Sequence, residues 1–460
     1  MRHMTPLRTL TVGLIGLTLA ACSSSSGPRA SAPVAAPSVV AQAAATPSAS
    51  KAPANATPEA MLLVGRLGEP GLRLVVAPTG EKVMDLPDGA PDPTWTRLVT
   101  ATGIGTMTQI QDARLDGGMP GPRLDVDGRW RLPTIGIDRT PAGVSTDGST
   151  IALVDAGAAA SNGSAGRSQF AIVQHVDGGR RSVSRDAQLA LATVIDLPGD
   201  FEFDALSPSG DVLYVVQHLA AKTGAYQVRA VDVATGALRD AVIADKRNID
   251  EAMAGWPIGQ VRRADGVVLT LYRGTEHPFV HALNTAEAWA VCLDLPAAEA
   301  ADAKAARDWG LAPSPDGRSV YAINATLGLA AEINMSELTV QRTSTLATAS
   351  TGSGGSFVLA KFGHEAIGPA GRVVVSPDGT TVFAAGSSGI ISVNTADLTV
   401  RHRMLEGTAV DGIAVAPDGS VMFALLRDGG RIVAVGPTTG RELGTVPGDG
   451  YDRLLAAAPW

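Results

Sequence analysis

A short turn set between two apolar runs recurs six times along the chain. The copies are Thr146-Asp147-Gly148, Pro208-Ser209-Gly210, Ala264-Asp265-Gly266, Pro315-Asp316-Gly317, Pro377-Asp378-Gly379 and Pro417-Asp418-Gly419. Residues such as Val373-Val374-Val375 lead into the turn, and Val382-Phe383-Ala384-Ala385 leave it. A unit this small cannot bury its own apolar face, so it must stack on copies of itself, in a line or in a ring. The repeat predicts an all-β array rather than one compact enzyme core.

Residues 371–405 show one unit most cleanly. Gly371 to Ser376 reads as a short strand, Pro377-Asp378-Gly379 turns it, and Thr381 to Ala385 returns. Pro presets the first φ of the turn, Asp bonds its own backbone, and Gly takes the left-handed position. Ser387-Ser388-Gly389 turns into a third strand, Ile390 to Val393, and Val400 to Met404 makes a more polar fourth. Polarity rising outward fits a blade whose first strand is buried and whose fourth meets water. Third strands are expected near Val75, Ile110, Ile172, Val231, His281, Ile333, Ile391 and Val433. The copy between Trp95 and Trp130 is the weakest, so eight blades are preferred and seven is the alternative. Residues 61–87 supply three strands without an inner one, and Asp452 to Pro459 resembles the inner strand Asp411 to Pro417. The C-terminal strand is therefore expected to complete the first blade and close the ring.

The Ser-Pro-Asp-Gly turn, the pairs Val320-Tyr321 and Val382-Phe383, and Ile391-Ser392-Val393-Asn394-Thr395 resemble the YVTN-type, WD-like β-propeller repeats of bacterial surface proteins. The resemblance covers most of residues 61–460 and implies a single β-propeller of four-stranded antiparallel blades. It implies no common active site, because such propellers share packing motifs.

The start of the chain gives an address. Arg2 and Arg8 precede an apolar run from Thr9 to Leu19, too short to span a bilayer and suited to a signal peptide over residues 1–21. Leu19-Ala20-Ala21-Cys22 resembles the bacterial lipoprotein box, which implies an acylated Cys22 as the new N-terminus and an extracytoplasmic, lipid-anchored protein. Residues 22–60 are Ser, Ala and Pro rich and read as a disordered tether.

Loss of residues 1–21 would move the formal charge from −8 to −10, and no basic stripe is visible, which argues against nucleic acid as a partner. With Cys22 lipidated, Cys292 remains alone, read as an inert strand thiol. No Gly-x-Ser-x-Gly elbow, phosphate loop or Cys-x-x-Cys pair appears, so no catalytic residue and no cofactor is assigned. His277-Pro278-Phe279-Val280-His281 lacks a visible third ligand, so no metal is assigned. Three long links between blades remain. Asp245 to Gly259 carries Lys246, Arg247 and Trp256; Pro296 to Trp309 is expected to form a short helix ending at Trp309; Ala347 to Gly371 carries Lys361, His364 and Glu365. Propeller topology places all three on one face around the channel, where they form the expected ligand-binding set. Trp256 and Trp309 either contact ligand or wedge between blades. The expected function is a binding or scaffolding module for an unknown envelope protein or glycan. The alternative is an extracytoplasmic propeller enzyme, a lactonase-like hydrolase or oxidoreductase, with its site at the channel mouth.

Overall fold

The computed structural model describes residues 60–69, 71–92, 95–114, 120–157, 166–184, 186–220, 224–247, 253–297, 305–346 and 368–459. The expected signal peptide and the expected tether up to residue 59, with Cys22, lie outside them, as do Lys361, His364 and Glu365. Among the described residues the chain is strand and turn, apart from one 3-10 turn, Ala305–Arg307. That turn stands in the stretch expected to be helical. Trp309 does not end a helix; it opens the strand Trp309–Pro313, because its large side chain is drawn into an apolar core.

Among the described residues most strands pair antiparallel in groups of four, blades 1 to 8, with the groups of blades 4 and 5 joined in one eight-stranded sheet. Blade 1 orders Tyr451–Pro459, Ala60–Arg66, Leu72–Val76 and Lys82–Leu86; blade 2, Gly89–Pro91, Arg97–Ile104, Met107–Arg114 and Pro120–Asp127. Blade 3 has Trp130–Arg131, Thr150–Asp155, Arg167–Asp177 and Gln188–Pro198. Blade 4 has Phe201–Leu206, Val212–Ala220, Ala225–Asp232 and Leu238–Ile243; blade 5, Met253–Arg262, Val267–Gly274, Phe279–Asn284 and Trp289–Asp294. Blade 6 runs Trp309–Pro313, Ser319–Asn324, Leu329–Asn334 and Thr339–Thr345; blade 7, Val373–Val375, Thr381–Gly386, Gly389–Asn394 and Val400–Met404. Blade 8 runs Val410–Val415, Met422–Leu426, Ile432–Val435 and Glu442–Val446. Every expected third-strand residue, from Val75 to Val433, lies on the third strand of its group. The weak copy between Trp95 and Trp130 contributes to a full sheet. It is braced against blade 3 by a buried carboxylate: Asp112 Oδ2 meets Arg97 Nη1 at 3.0 Å and His175 Nε2 at 2.8 Å.

The repeated turn works as its residues dictate. Ser376 Oγ donates to Asp378 Oδ1 at 2.5 Å, the Thr380 and Thr381 amides donate to Asp378 Oδ1 and Ser376 Oγ, and Gly379 sits at φ 72°. Ser314 with Asp316 and Ser145 with Asp147 repeat the device. Between third and fourth strands, Asn284, Asn334 and Asn394 each accept backbone amides and lead into a left-handed residue, Ala288, Leu338 or Leu398. Leu398 is buried despite φ 57°, so packing offsets the strain of about 1 kcal/mol.

Burial then closes the ring. The apolar core is divided into eight clusters, and each joins two consecutive blades. One of them packs Leu62 and Leu454 of blade 1 against Phe423 and Ile432 of blade 8. Tyr451–Pro459 pairs along Ala60–Arg66, from Ala60↔Pro459 to Arg66↔Tyr451. The C-terminal strand thus supplies the inner strand that blade 1 lacked, and the molecule is a β-propeller.

Candidate functional site at the channel mouth

An inner strand pairs with its own blade on one side and turns its other edge to the channel. Two segments of the chain cover such edges. The first is a hairpin looped out of the inner strand of blade 3, between Trp130–Arg131 and the bridge Val144↔Ile151. Its strands are Thr134–Ile135 and Thr140–Pro141. At its tip the Ile137 amide donates to Pro257 O at 3.3 Å and the Asp138 amide to Ile258 O at 2.9 Å, both on the inner strand of blade 5. A Cβ on Gly136 would lie 2.4 Å from Ile258 O, so only glycine admits this approach. The second segment is Gly368–Pro369, which pairs with Ala457 and Ala456 of blade 1. Gly371 then exchanges both backbone hydrogen bonds with Ile413 of blade 8 before the chain enters blade 7.

The two segments meet through Arg372. Its Nε donates to Asp138 Oδ1 at 3.1 Å and its Nη1 to Asp308 Oδ1 at 3.3 Å. Asp308 is fixed from behind by Thr326 Oγ1 at 2.6 Å, and Asp411 is held by Arg427 at 2.8 Å. Desolvation raises the pKa of Asp138; Arg372 opposes this, and the carboxylates of Asp308 and Asp411 add to it. A second arginine crosses between blades: Arg262 of blade 5 donates to Val144 O at 2.8 Å and to Pro91 O at 3.1 Å, on the blade 3 and blade 2 sides. Burial pulls its pKa down to about 10, against the pull of Asp92, so it remains a cation at neutral pH.

Beside the hairpin, Trp256 is 42% exposed, with the Arg273 guanidinium 4.7 Å from its ring centroid. On blade 4, His218 Nε2 lies 3.4 Å from Glu202 Oε2, and the Glu202 carboxylate raises the His218 pKa against the pull of desolvation. Of the other expected site residues, Lys246, Arg247 and Trp309 are described, and they stand elsewhere. Lys246 places its ammonium 3.4 Å from the Trp289 ring, and Arg247 reaches Cys292 O, both on the outer strand of blade 5. Their link is held to the rim because Asp245 accepts the Cys292 amide at 2.8 Å while the Lys246 amide donates to Ala290 O. Trp309 is 1% exposed and packs with Ile258 and Leu269 between blades 5 and 6. His277 bonds Asp294 at 2.8 Å while His281 is buried, so the two histidines do not share a site. Among the described residues no three His, Cys, Asp or Glu side chains gather as metal ligands, and no helix is long and apolar enough to cross a membrane.

Sequence reasoning passed over Asp138, Arg372 and Arg262, and left Asp308 out of the expected ligand-binding set. One signal was available: the inner strand of blade 3 takes far more chain between Trp130 and Thr150 than its neighbours do, with Pro133 and Pro141 flanking a glycine turn.

No family model matches the chain, and no curated protein matches it in sequence. Apo AztD from Citrobacter koseri aligns over 87% of this chain and 99% of its own, at 11% identity and TM-score 0.51. A second AztD structure from the same organism gives TM-score 0.52 at 11% identity, over 86% and 97% of the two chains. The periplasmic gluconolactonase PpgL of Pseudomonas aeruginosa aligns at 19% identity over 79% and 99%, with TM-score 0.40. The likeness to AztD agrees with the strand pairing on the β-propeller fold.

Proposed function

We propose that this chain is a lipid-anchored, extracytoplasmic propeller that binds or scaffolds an envelope protein or glycan. The anchor rests on Leu19-Ala20-Ala21-Cys22 and the tether that follows it. The observation that carries the binding reading is the occupied channel mouth. Backbone of Thr134–Pro141 and Gly368–Pro369 fills the inner-strand edges where a propeller would otherwise admit a small substrate. Beside it, Trp256 with Arg273 and the pair His218 and Glu202 stay accessible on blades 4 and 5, an aromatic and charged surface suited to a broad contact.

The test is crosslinking in cells expressing the full chain, comparing wild type with Trp256→Ala/Arg273→Ala after equal melting has been verified. One envelope component captured by wild type and lost from the variant supports the reading. Equal capture by both, or none by either, removes blades 4 and 5 as the binding surface.

A further inference from the structure

The hairpin Thr134–Pro141 is held unevenly. Its base is fixed, since Ile135 and Ala142 belong to the apolar core between blades 3 and 4. Its tip, Gly136 to Arg139, buries little: Ile137 is 44% exposed. Arg139 adopts φ 51°, a left-handed conformation that residues other than glycine rarely take. Two amide bonds to blade 5 hold the tip, and the Asp138–Arg372 ion pair adds a charged link. The other carboxylates around Arg372 lie outside the hairpin and have partners of their own, Asp308 with Thr326 and Asp411 with Arg427. Asp138 is therefore the carboxylate of this cluster whose loss would free the hairpin and leave the rest paired.

We propose that the hairpin is a releasable strap. When the Asp138–Arg372 pair is lost, the tip leaves the inner edge of blade 5 and uncovers the channel mouth together with the carbonyls of Pro257 and Ile258. The base stays in the core, so the strap bends above it, at Gly136 (φ 67°) and at Arg139 (φ 51°), the two left-handed residues between base and tip. Opening is a local event, and the eight inter-blade clusters are untouched by it. The strap belongs to the chain itself and does not depend on which ligand the propeller binds.

Hydrogen–deuterium exchange of the full chain, read by mass spectrometry on peptides covering Thr134–Pro141, tests this. Asp138→Asn is expected to speed exchange there roughly fivefold, the factor that a partly exposed ion pair contributes, with unchanged thermal melting. Arg372→Met should do the same, and Arg372→Lys, which keeps a cation opposite Asp138, should recover part of the protection. Asp308→Asn leaves the Asp138–Arg372 pair in place and should exchange like wild type. Equal exchange in wild type and Asp138→Asn would overturn the strap. So would equal acceleration in Asp308→Asn, which would mark a general loosening of the mouth.

Discussion

Replacing Asp204 or His281 should tilt the pH dependence of stability in opposite directions. Both belong to one polar row through blades 4 and 5. Asp204 is 2% exposed, and its Oδ1 receives the Gln260 amide at 3.4 Å. The same amide reaches Thr270 Oγ1 at 3.0 Å; Thr270 pairs with His281, and His281 Nδ1 lies 3.7 Å from Cys292 Sγ. Asp204 Oδ2 and His281 Nε2 have no hydrogen-bond partner among the described residues. Burial raises Asp204 to about 7, and it lowers His281 to about 4 against the opposing charge of Asp245. The folded protein thus keeps the Asp204 proton where the unfolded chain has released it. Its contribution is complete below the unfolded value of 3.8 and is lost as pH rises through 7, a change of about 4 kcal/mol at ~1.4 kcal/mol per pH unit. His281 does the reverse. The unfolded imidazole takes its proton at 6.5 and the folded one only near 4, so stability is complete above 6.5 and falls by about 3 kcal/mol as pH drops toward 4. In wild type the two slopes cancel across most of this window. Urea unfolding followed by tryptophan fluorescence, at several values from about pH 4.5 to about pH 6.5, separates them. Asp204→Asn should gain stability steadily with rising pH relative to wild type, and His281→Gln should lose it. Difference curves that stay flat in both variants would refute the assignment of either charge state.

Three further outcomes follow from the packing and the address. Trp309→Ala should cost roughly 3–5 kcal/mol, because it empties the cluster between blades 5 and 6; a melting temperature within a degree or so of wild type would contradict that burial. Deleting residues 451–460 removes the inner strand of blade 1 and bares two sheet edges, so the product should aggregate in size-exclusion chromatography, and a monomer melting like the full chain would refute ring closure by that strand. Cys22→Ser should abolish fatty-acid labelling and move the protein from the membrane fraction to the soluble one; unchanged partition would remove the lipid anchor.

What the sequence made legible and what it hid divide along contact range. The blades could be read because each rests on local chemistry. Ser376 and Asp378 close their turn within a few residues, and Asn394 with Leu398 does the same for the next, so composition at short spacing carries the information. Ring closure was readable for a related reason: a strand missing at one end and an inner-strand pattern spare at the other have one economical pairing. The mouth has no such local signature. Arg372 and Asp138 stand 234 positions apart, and neither is unusual for its type or its neighbours. Topology misled in one place as well. It put Lys246 and Arg247 beside the channel because their link leads to an inner strand, yet Asp245 spends its carboxylate on the outer strand of the same blade and holds the link at the rim. The two tryptophans show the same dependence on distant partners. Trp309 is enclosed by blades 5 and 6, while Trp256, on another inner strand, leaves its ring exposed under Arg273. Identical residue types on two inner strands therefore take opposite roles: the cluster between blades 5 and 6 receives Trp309, and Trp256 lies under Arg273 instead. Among the described residues the longest interruption within an inner strand is the hairpin that crosses the mouth, and it too is held by partners far away in the chain.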